Sequence, residues 1–250
     1  MNTKENNYKG ILIFMCLFFI VIVVSCTNGG GDGIDLSAGL IAYFPFNGNA
    51  ADESANSNDG TVNGASLTTD RYDVADRAYN FNGSSDYIDC GDDNSLHIAG
   101  AISMTVWVAI DDTSNDHQIL GKGQSLGGPG NFGYALGFYS INKKIYFDTY
   151  DGSSTRDGLA SDVTINDNSW YFIAATWDGT TSPNTKKIYI DGALAGQQTS
   201  TISELGIAST NFEIGVGPND GWSYFDGKID DIRVYNRALS EDEIQIIYTK

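Results

Sequence analysis

Between Met104 and Ile110 the chain alternates strictly. Met104, Val106, Val108 and Ile110 fall on one side, and Ser103, Thr105, Trp107 and Ala109 on the other. Side chains on a strand point to its two faces in turn, so the first set predicts a core face and places Trp107 opposite it. Similar short runs recur at Gly39–Phe46, Gly60–Leu67, Ala78–Asn82, Tyr87–Asp89, Gln118–Lys122, Tyr134–Tyr139, Lys144–Tyr150, Trp170–Trp177, Lys186–Ile190, Ala193–Thr199, Asn211–Val216 and Lys228–Tyr235. They are rich in aromatic and β-branched residues and bounded by Gly, Asn and Asp, the signature of strands. Asp191-Gly192 predicts a tight hairpin. No long 3.6-residue period precedes Ser240, where Ser240-x-x-Glu243 predicts a capped helix start. The pattern predicts an all-β chain, a sandwich or jelly roll, with a short C-terminal helix.

The first 25 residues break the pattern. Lys4 and Lys9 precede an unbroken apolar run, Ile11 to Val24, which reads as the charged and hydrophobic parts of a signal peptide. The run is short for a spanning helix, which needs about 20 apolar residues. Val23-Val24-Ser25-Cys26 resembles the lipobox of bacterial lipoproteins, which implies lipidation at Cys26. The other reading is an uncleaved anchor with an incidental cysteine. Residues 26–35 then form a Gly-rich tether and 36–250 the domain. Several acyl chains together anchor stably. The expected location is the bacterial cell envelope, lipid-anchored at the outer membrane or cell surface. Thr27 in place of Asp after Cys26 points away from retention at the inner membrane.

Charge narrows the partners. The 32 Asp and Glu against 14 Lys and Arg give a net charge of −18. That argues against nucleic acid and against adhesion to anionic lipid through the protein surface, and is compatible with calcium. A solvated acidic surface explains most of these charges. With Cys16 in the leader and Cys26 lipidated, Cys90 has no disulfide partner.

Several pieces of the chain match one family in order. They are Leu40-Ile41-Ala42-Tyr43-Phe44-Pro45-Phe46-Asn47-Gly48, the loop Asp52-Glu53-Ser54-Ala55-Asn56-Ser57-Asn58-Asp59-Gly60, and Tyr79-Asn80-Phe81-Asn82-Gly83-Ser84-Ser85-Asp86-Tyr87-Ile88. Trp170 to Gly179, Ile188 to Gly192 and the closing segment Phe225 to Ile244 follow. The ordered set resembles the LamG-like, concanavalin A-like jelly-roll family of the bacterial laminin-G/pentraxin type, over roughly residues 36 to 249. The resemblance implies a two-sheet antiparallel sandwich with its first and last strands adjacent.

The Asp52–Gly60 loop gathers carboxylate, hydroxyl, amide and carbonyl oxygens, a mixture that suits calcium. By the period-2 rule Asp230 shares a face with Ile232 and Val234, and a carboxylate aimed at a core needs a partner. Asp52, Asn58 and Asp230 by side chain, with Gly60 by its carbonyl, are the expected ligands of a structural calcium. The resemblance implies the same, since the family often places a calcium between this loop and the closing strand. The alternative is an Asx-turn loop whose side chains bond their own backbone.

Catalysis finds little in the sequence. His97 and His117 stand in no metal-binding spacing. Glu213 stands alone, and Asp230 and Asp231, as neighbours on a strand, should face opposite ways, whereas a glycosidase needs two carboxylates across one bond. Binding fits better. Trp222 and Tyr224 lie in one polar Gly-rich loop, Phe132 in another, and Asp151 and Arg156 in a third, a distribution suited to a glycan platform on a rigid sandwich. For any single one of these aromatics, cover for a sheet end is the favoured reading, and Trp107, Trp170 and Trp177 are expected to pack in or between the sheets. The expectation is a surface-anchored, non-catalytic carbohydrate-binding module. A protein-interaction or adhesion domain and a glycoside hydrolase of the same fold are the alternatives.

Overall fold

The computed structural model describes residues 33–123, 133–153, 155–179, 181–217 and 223–250. In chain order the strands are β1 (Leu40–Phe44), β2 (Thr61–Asn63), β3 (Ser66–Thr68), β4 (Ala78–Asn82), β5 (Tyr87–Asp89), β6 (Ile102–Ile110), β7 (His117–Lys122) and β8 (Tyr134–Tyr139). They continue as β9 (Lys144–Tyr150), β10 (Arg156–Thr164), β11 (Trp170–Trp177), β12 (Thr185–Ile190), β13 (Ala193–Thr199), β14 (Phe212–Ile214) and β15 (Asp226–Tyr235), before helix α1 (Glu241–Tyr248). Among the described residues they form two antiparallel sheets. The larger runs β13-β12-β11-β6-β15-β4-β3, with β1 also paired to β15. The smaller runs β10-β9-β8-β7-β14-β5-β2. The first and last strands are therefore adjacent, and the architecture is the expected jelly-roll sandwich.

The alternation in β6 sorts its side chains as predicted. Met104, Val106, Val108 and Ile110 join Phe44, Phe81, Leu136, Phe138, Phe147, Trp177, Ile232 and Val234 in the core between the sheets. Trp107 lies on the far face of the larger sheet, with Phe172, Tyr189, Tyr235, Leu239, Ile244 and Ile247. That second apolar layer seats α1. Its start is the predicted capping box: the Ser240 hydroxyl accepts from the Glu243 amide, and the Glu243 carboxylate accepts from the Ser240 amide.

Three local expectations are corrected. The run Gly60–Leu67 is not one strand. It breaks at Gly64, whose φ of +84° takes the chain from β2 in the smaller sheet to β3 in the larger. Arg156–Thr164, where Arg156 is expected in a loop and no strand is predicted, is a full strand that pairs with β9. Most consequential, β15 carries a bulge. Asp230 stands opposite Trp107 and Arg233 opposite Thr105, so Asp231 and Ile232 together face one residue of β6. Asp231, at φ +51°, is the inserted residue, and it resets the two-residue phase. Ile229 and Ile232 both face the core, while Asp230 faces away from it.

Candidate functional site

The structure brings some of the expected calcium ligands together and separates others. Asp52 Oδ1 accepts from the amides of Tyr43 and Ser54, and Oδ2 from the Asn58 amide and the Ser54 hydroxyl, all at 2.8 Å. Asn58 Nδ2 donates to the Ile41 carbonyl and Oδ1 accepts from Ser95. The Gly60 amide donates to Ala50, and a Cβ there would lie 2.5 Å from Ile88. Asp52 and Asn58 tie the loop to β1 by hydrogen bonds, and Gly60 closes it on Ala50. Asp230 is engaged elsewhere: its Oδ2 accepts from Arg71 Nη1 at 2.7 Å. Asp230 is thus partnered apart from the hydrogen bonds that engage Asp52, Asn58 and Gly60. Among the described residues, no group of three His, Cys, Asp or Glu side chains gathers to hold a metal.

The most distinctive row of residues lies on the outward-pointing side of the smaller sheet. Register places Gly158, Asp148, Ala135, Gly121, Glu213, Asp89 and Thr61 in one row across the seven strands of this sheet. All seven point outward, because Leu136, Phe147, Leu159, Phe212 and Ile214 beside them point into the core. The centre of the row has almost no side chain. Ala135 and Gly121, both buried, make a narrow trough with a wall on each side.

One wall is an ordered polar cluster. Arg156 Nη2 donates to Asp148 Oδ2 at 2.9 Å and to the Tyr139 hydroxyl at 3.3 Å. The Arg156 guanidinium stands 6.0 Å from the centre of the Tyr139 ring, and Tyr139 packs on Tyr146 with ring centres 4.2 Å apart. Burial penalises the Arg156 charge, but Asp148 outweighs it and the pKa is raised. Gly158 makes room for this arrangement, since a Cβ there would sit 2.7 Å from Asp148 Oδ1. The other wall is Glu213 beside Asp89, whose oxygens accept from the Gly91 amide and Asn211 Nδ2.

Gln118 lies across the trough floor. A Cβ on Gly121 would approach its Nε2 to 2.9 Å, so the amide rests over the glycine. Gln118 is 1 % exposed, yet neither its Oε1 nor its Nε2 has a hydrogen-bond partner. Native proteins seldom leave a buried amide unsatisfied at both ends. The sequence reading passed over Gln118, which reads there as one polar position in a strand. Its significance comes from Gly121 and Ala135, on its own and the neighbouring strand.

The expected ligand residues fall in several places. Phe132 and Trp222 lie outside the described residues, as does Cys26. Arg156 is in the trough wall. Asp151 is used within its own turn, where Oδ1 accepts from the amides of Ser153 and Thr155, and these bonds lower its pKa, that from Thr155 most. Tyr224 is half-buried, and its carbonyl is bonded to the His117 ring at 2.9 Å. Trp177 is in the core and Trp170 is packed at the edge of the helix layer, as expected. Cys90 is buried, and burial pushes its thiol pKa well up.

Comparison with known proteins gives one family and several similar folds. Residues 82–245 match the family described as the concanavalin A-like lectin/glucanases superfamily. No curated protein matches the chain. Among solved structures, the receptor-binding domain of a botulinum neurotoxin C/D mosaic serotype is similar at a TM-score of 0.64 and 19% identity, over 84% of this chain and 51% of that one. The botulinum neurotoxin serotype D ligand-binding domain in complex with N-acetylneuraminic acid is similar at 0.66 and 20%, over 85% and 51%. Domain 4 of AbnA, an extracellular arabinanase from Geobacillus stearothermophilus, in complex with arabinotriose, is similar at 0.61 and 19%, over 84% and 98%. The chain thus spans about half the length of the neurotoxin domains and nearly all of the arabinanase domain. At these identities the likeness is one of fold. With the family match covering well over half of its length, the chain belongs to the concanavalin A-like lectin/glucanase superfamily.

Proposed function

We propose that the chain is a non-catalytic carbohydrate-binding module, and that a neutral glycan lies along the trough of the smaller sheet. The observation that carries this reading is the buried, unpartnered Gln118 amide over the Gly121–Ala135 floor. An amide offers one acceptor and two donors, and a sugar hydroxyl is both donor and acceptor. Tyr139 and Tyr146 supply aromatic surface at one end, and the Asp148–Arg156 pair is a fixed hydrogen-bonding edge. The many carboxylates around the trough favour a neutral sugar over an anionic one.

The similar folds support binding over catalysis: one was solved with N-acetylneuraminic acid and another with arabinotriose. Geometry supports it too. Asp148 and Glu213 are three strands apart, so their backbones are separated by about 14 Å at the usual strand spacing. Glycosidase carboxyls stand about 5–9.5 Å apart. The test is an array of neutral oligosaccharides probed with the purified chain, followed by Gln118→Ala and Tyr139→Ala. Binding lost in both variants, with melting unchanged, supports the reading. A glycan bound equally by both variants, or turned over, rejects it. The same proposal holds the domain at the bacterial cell envelope through lipid on Cys26. Fatty-acid labelling should then disappear in Cys26→Ser.

A further inference from the structure

The bulge in β15 opens a second site, on the outer face of the other sheet. Beside β15, β4 pairs with Asp226 to Ile229 and β1 pairs with Ile232 to Tyr235. The two neighbours meet end to end at Asp230 and Asp231. There the turn before β4 brings in Arg71 and Tyr72, and a cavity of about 450 Å³ forms. Its wall includes Tyr43, Asp70, Arg71, Tyr72, Arg77, Asp230, Asp231, Arg233 and Lys250.

The charges in this wall have unequal freedom. Arg71 pairs with Asp230 at 2.7 Å, and Arg233 with Asp231 at 2.6 Å. Asp70 Oδ1 is occupied by the amides of Tyr72 and Val74. No described ion pair engages Arg77 or Lys250. Once the internal pairs cancel, the wall retains the side-chain charges of Asp70, Arg77 and Lys250. It holds four of the chain's 14 Lys and Arg residues, on a molecule of net charge −18. The floor also has a donor to spare: Arg71 Nε is buried without a partner. Aromatic faces complete the wall. Arg71 stacks between Tyr72 and Trp107, Arg233 lies over Tyr43, and Tyr72 is 59% exposed at the mouth.

We propose that this cavity binds a carboxylated sugar, of the uronic or sialic acid class. Arg77 and Lys250 meet the carboxylate, Arg71 Nε donates to a ring oxygen or hydroxyl, and Asp230 and Asp231 accept from hydroxyls. Tyr72 and Tyr43 line the sugar's apolar face. The volume lies in the range of small-molecule pockets and accommodates one or two rings. One negative charge suits the wall, whereas a dianion such as a phosphate monoester would be repelled by Asp70, Asp230 and Asp231. The site is independent of the trough, which faces outward from the opposite sheet.

The test titrates the full chain with galacturonic acid, N-acetylneuraminic acid, galactose and galactose 6-sulfate, read by ligand-observed NMR and calorimetry. An acidic sugar should bind, and galactose should not. Arg77→Ala, an exposed change that leaves the fold intact, should weaken the acidic sugar about tenfold or more, as loss of a charge-assisted contact does. Lys250→Ala should weaken it less, and Gln118→Ala should leave it unchanged. Equal binding of galactose 6-sulfate overturns the carboxylate assignment. No binding by either acidic sugar, or full affinity in Arg77→Ala, overturns the site. Affinity lost in Gln118→Ala and kept in Arg77→Ala moves the acidic sugar to the trough.

Discussion

Two of the buried charge clusters in this molecule are finished differently. Lys186 lies between the sheets. Its amine donates to the Phe147 carbonyl and the Thr149 hydroxyl at 3.0 Å and to the Asp157 carbonyl, with the Phe147 ring 4.5 Å away. Its counter-ion Asp157 also accepts from Gln198, Ser200 and Thr201. Lys186 and Asp157 have all their described bonds made, and open pockets reach only their outer neighbours Ser200 and Thr201. The Arg71–Asp230–Asp231–Arg233 cluster is as charged, but it lines a cavity and leaves Arg71 Nε unsatisfied. A buried charge with all its bonds made is part of the architecture. One that borders an opening with a bond unmade is arranged to meet something else.

The largest expected effect breaks the finished cluster. Asp157→Ala strips Lys186 of its counter-ion and leaves Gln198, Ser200 and Thr201 without their shared acceptor. Removing one partner of a buried pair costs about 3–5 kcal/mol. Urea denaturation should show a loss of that size. A loss under about 1 kcal/mol, the scale of an exposed pair, would mean that the two clusters are not energetically distinct.

A smaller effect is expected at the open cluster. Burial first, then the neighbouring Asp231, pushes the Asp230 pKa up from 3.8 to about 7, against the pull of Arg71. The folded chain therefore holds a proton that the unfolded chain has lost between pH 3.8 and 7, and this group's contribution to stability falls as pH rises through that window. Asp230→Asn removes the slope. Its stability relative to the parent should improve steadily from pH 4 towards neutrality, then level off. For Lys186 the sign is opposite. Burial lowers its pKa from 10.5 to about 8, so the unfolded chain binds more protons between these values and stability rises with pH. Lys186→Met should flatten that rise, measured as the difference in urea midpoint at pH 7.5 and 10.

These clusters also mark where the sequence could be read and where it could not. The alternation in β6 identified both the inter-sheet core and the outward side of Trp107, because each side chain's fate depended on its own strand. The Ser240–Glu243 cap was legible for the same reason. Asp230 was misread because the two-residue rule counts residues along one strand, while a bulge is defined by the partner strand. The neighbours Asp230 and Asp231, expected on opposite faces, both reach Arg71 for that reason, at 2.7 and 3.8 Å. Strand β10 was missed because Asp157, Gly158, Ser161 and Asp162 look like loop. Asp157 is tolerated inside only because Lys186 stands across from it on another sheet. The trough was hidden in the same way, since its floor and walls come from strands distant in the sequence.

Gln118 carries the comparison down to a neutral group and to the smallest expected change in stability. It is buried like Lys186 but unsatisfied like Arg71 Nε. Replacing a bonded buried group by an apolar one removes a favourable interaction. Replacing an unbonded one removes a desolvation penalty instead. Gln118→Leu, close in volume and without polar atoms, should therefore leave stability unchanged or raise it by up to about 1 kcal/mol. The same substitution should abolish neutral-glycan binding if the amide is held ready for sugar hydroxyls. A protein that melts at or above the parent temperature and no longer retains the glycan would separate the amide's role from folding. A loss of stability above about 1 kcal/mol, the usual worth of a made hydrogen bond, would show that Gln118 has a partner in solution. It would then belong with Lys186 among the finished groups.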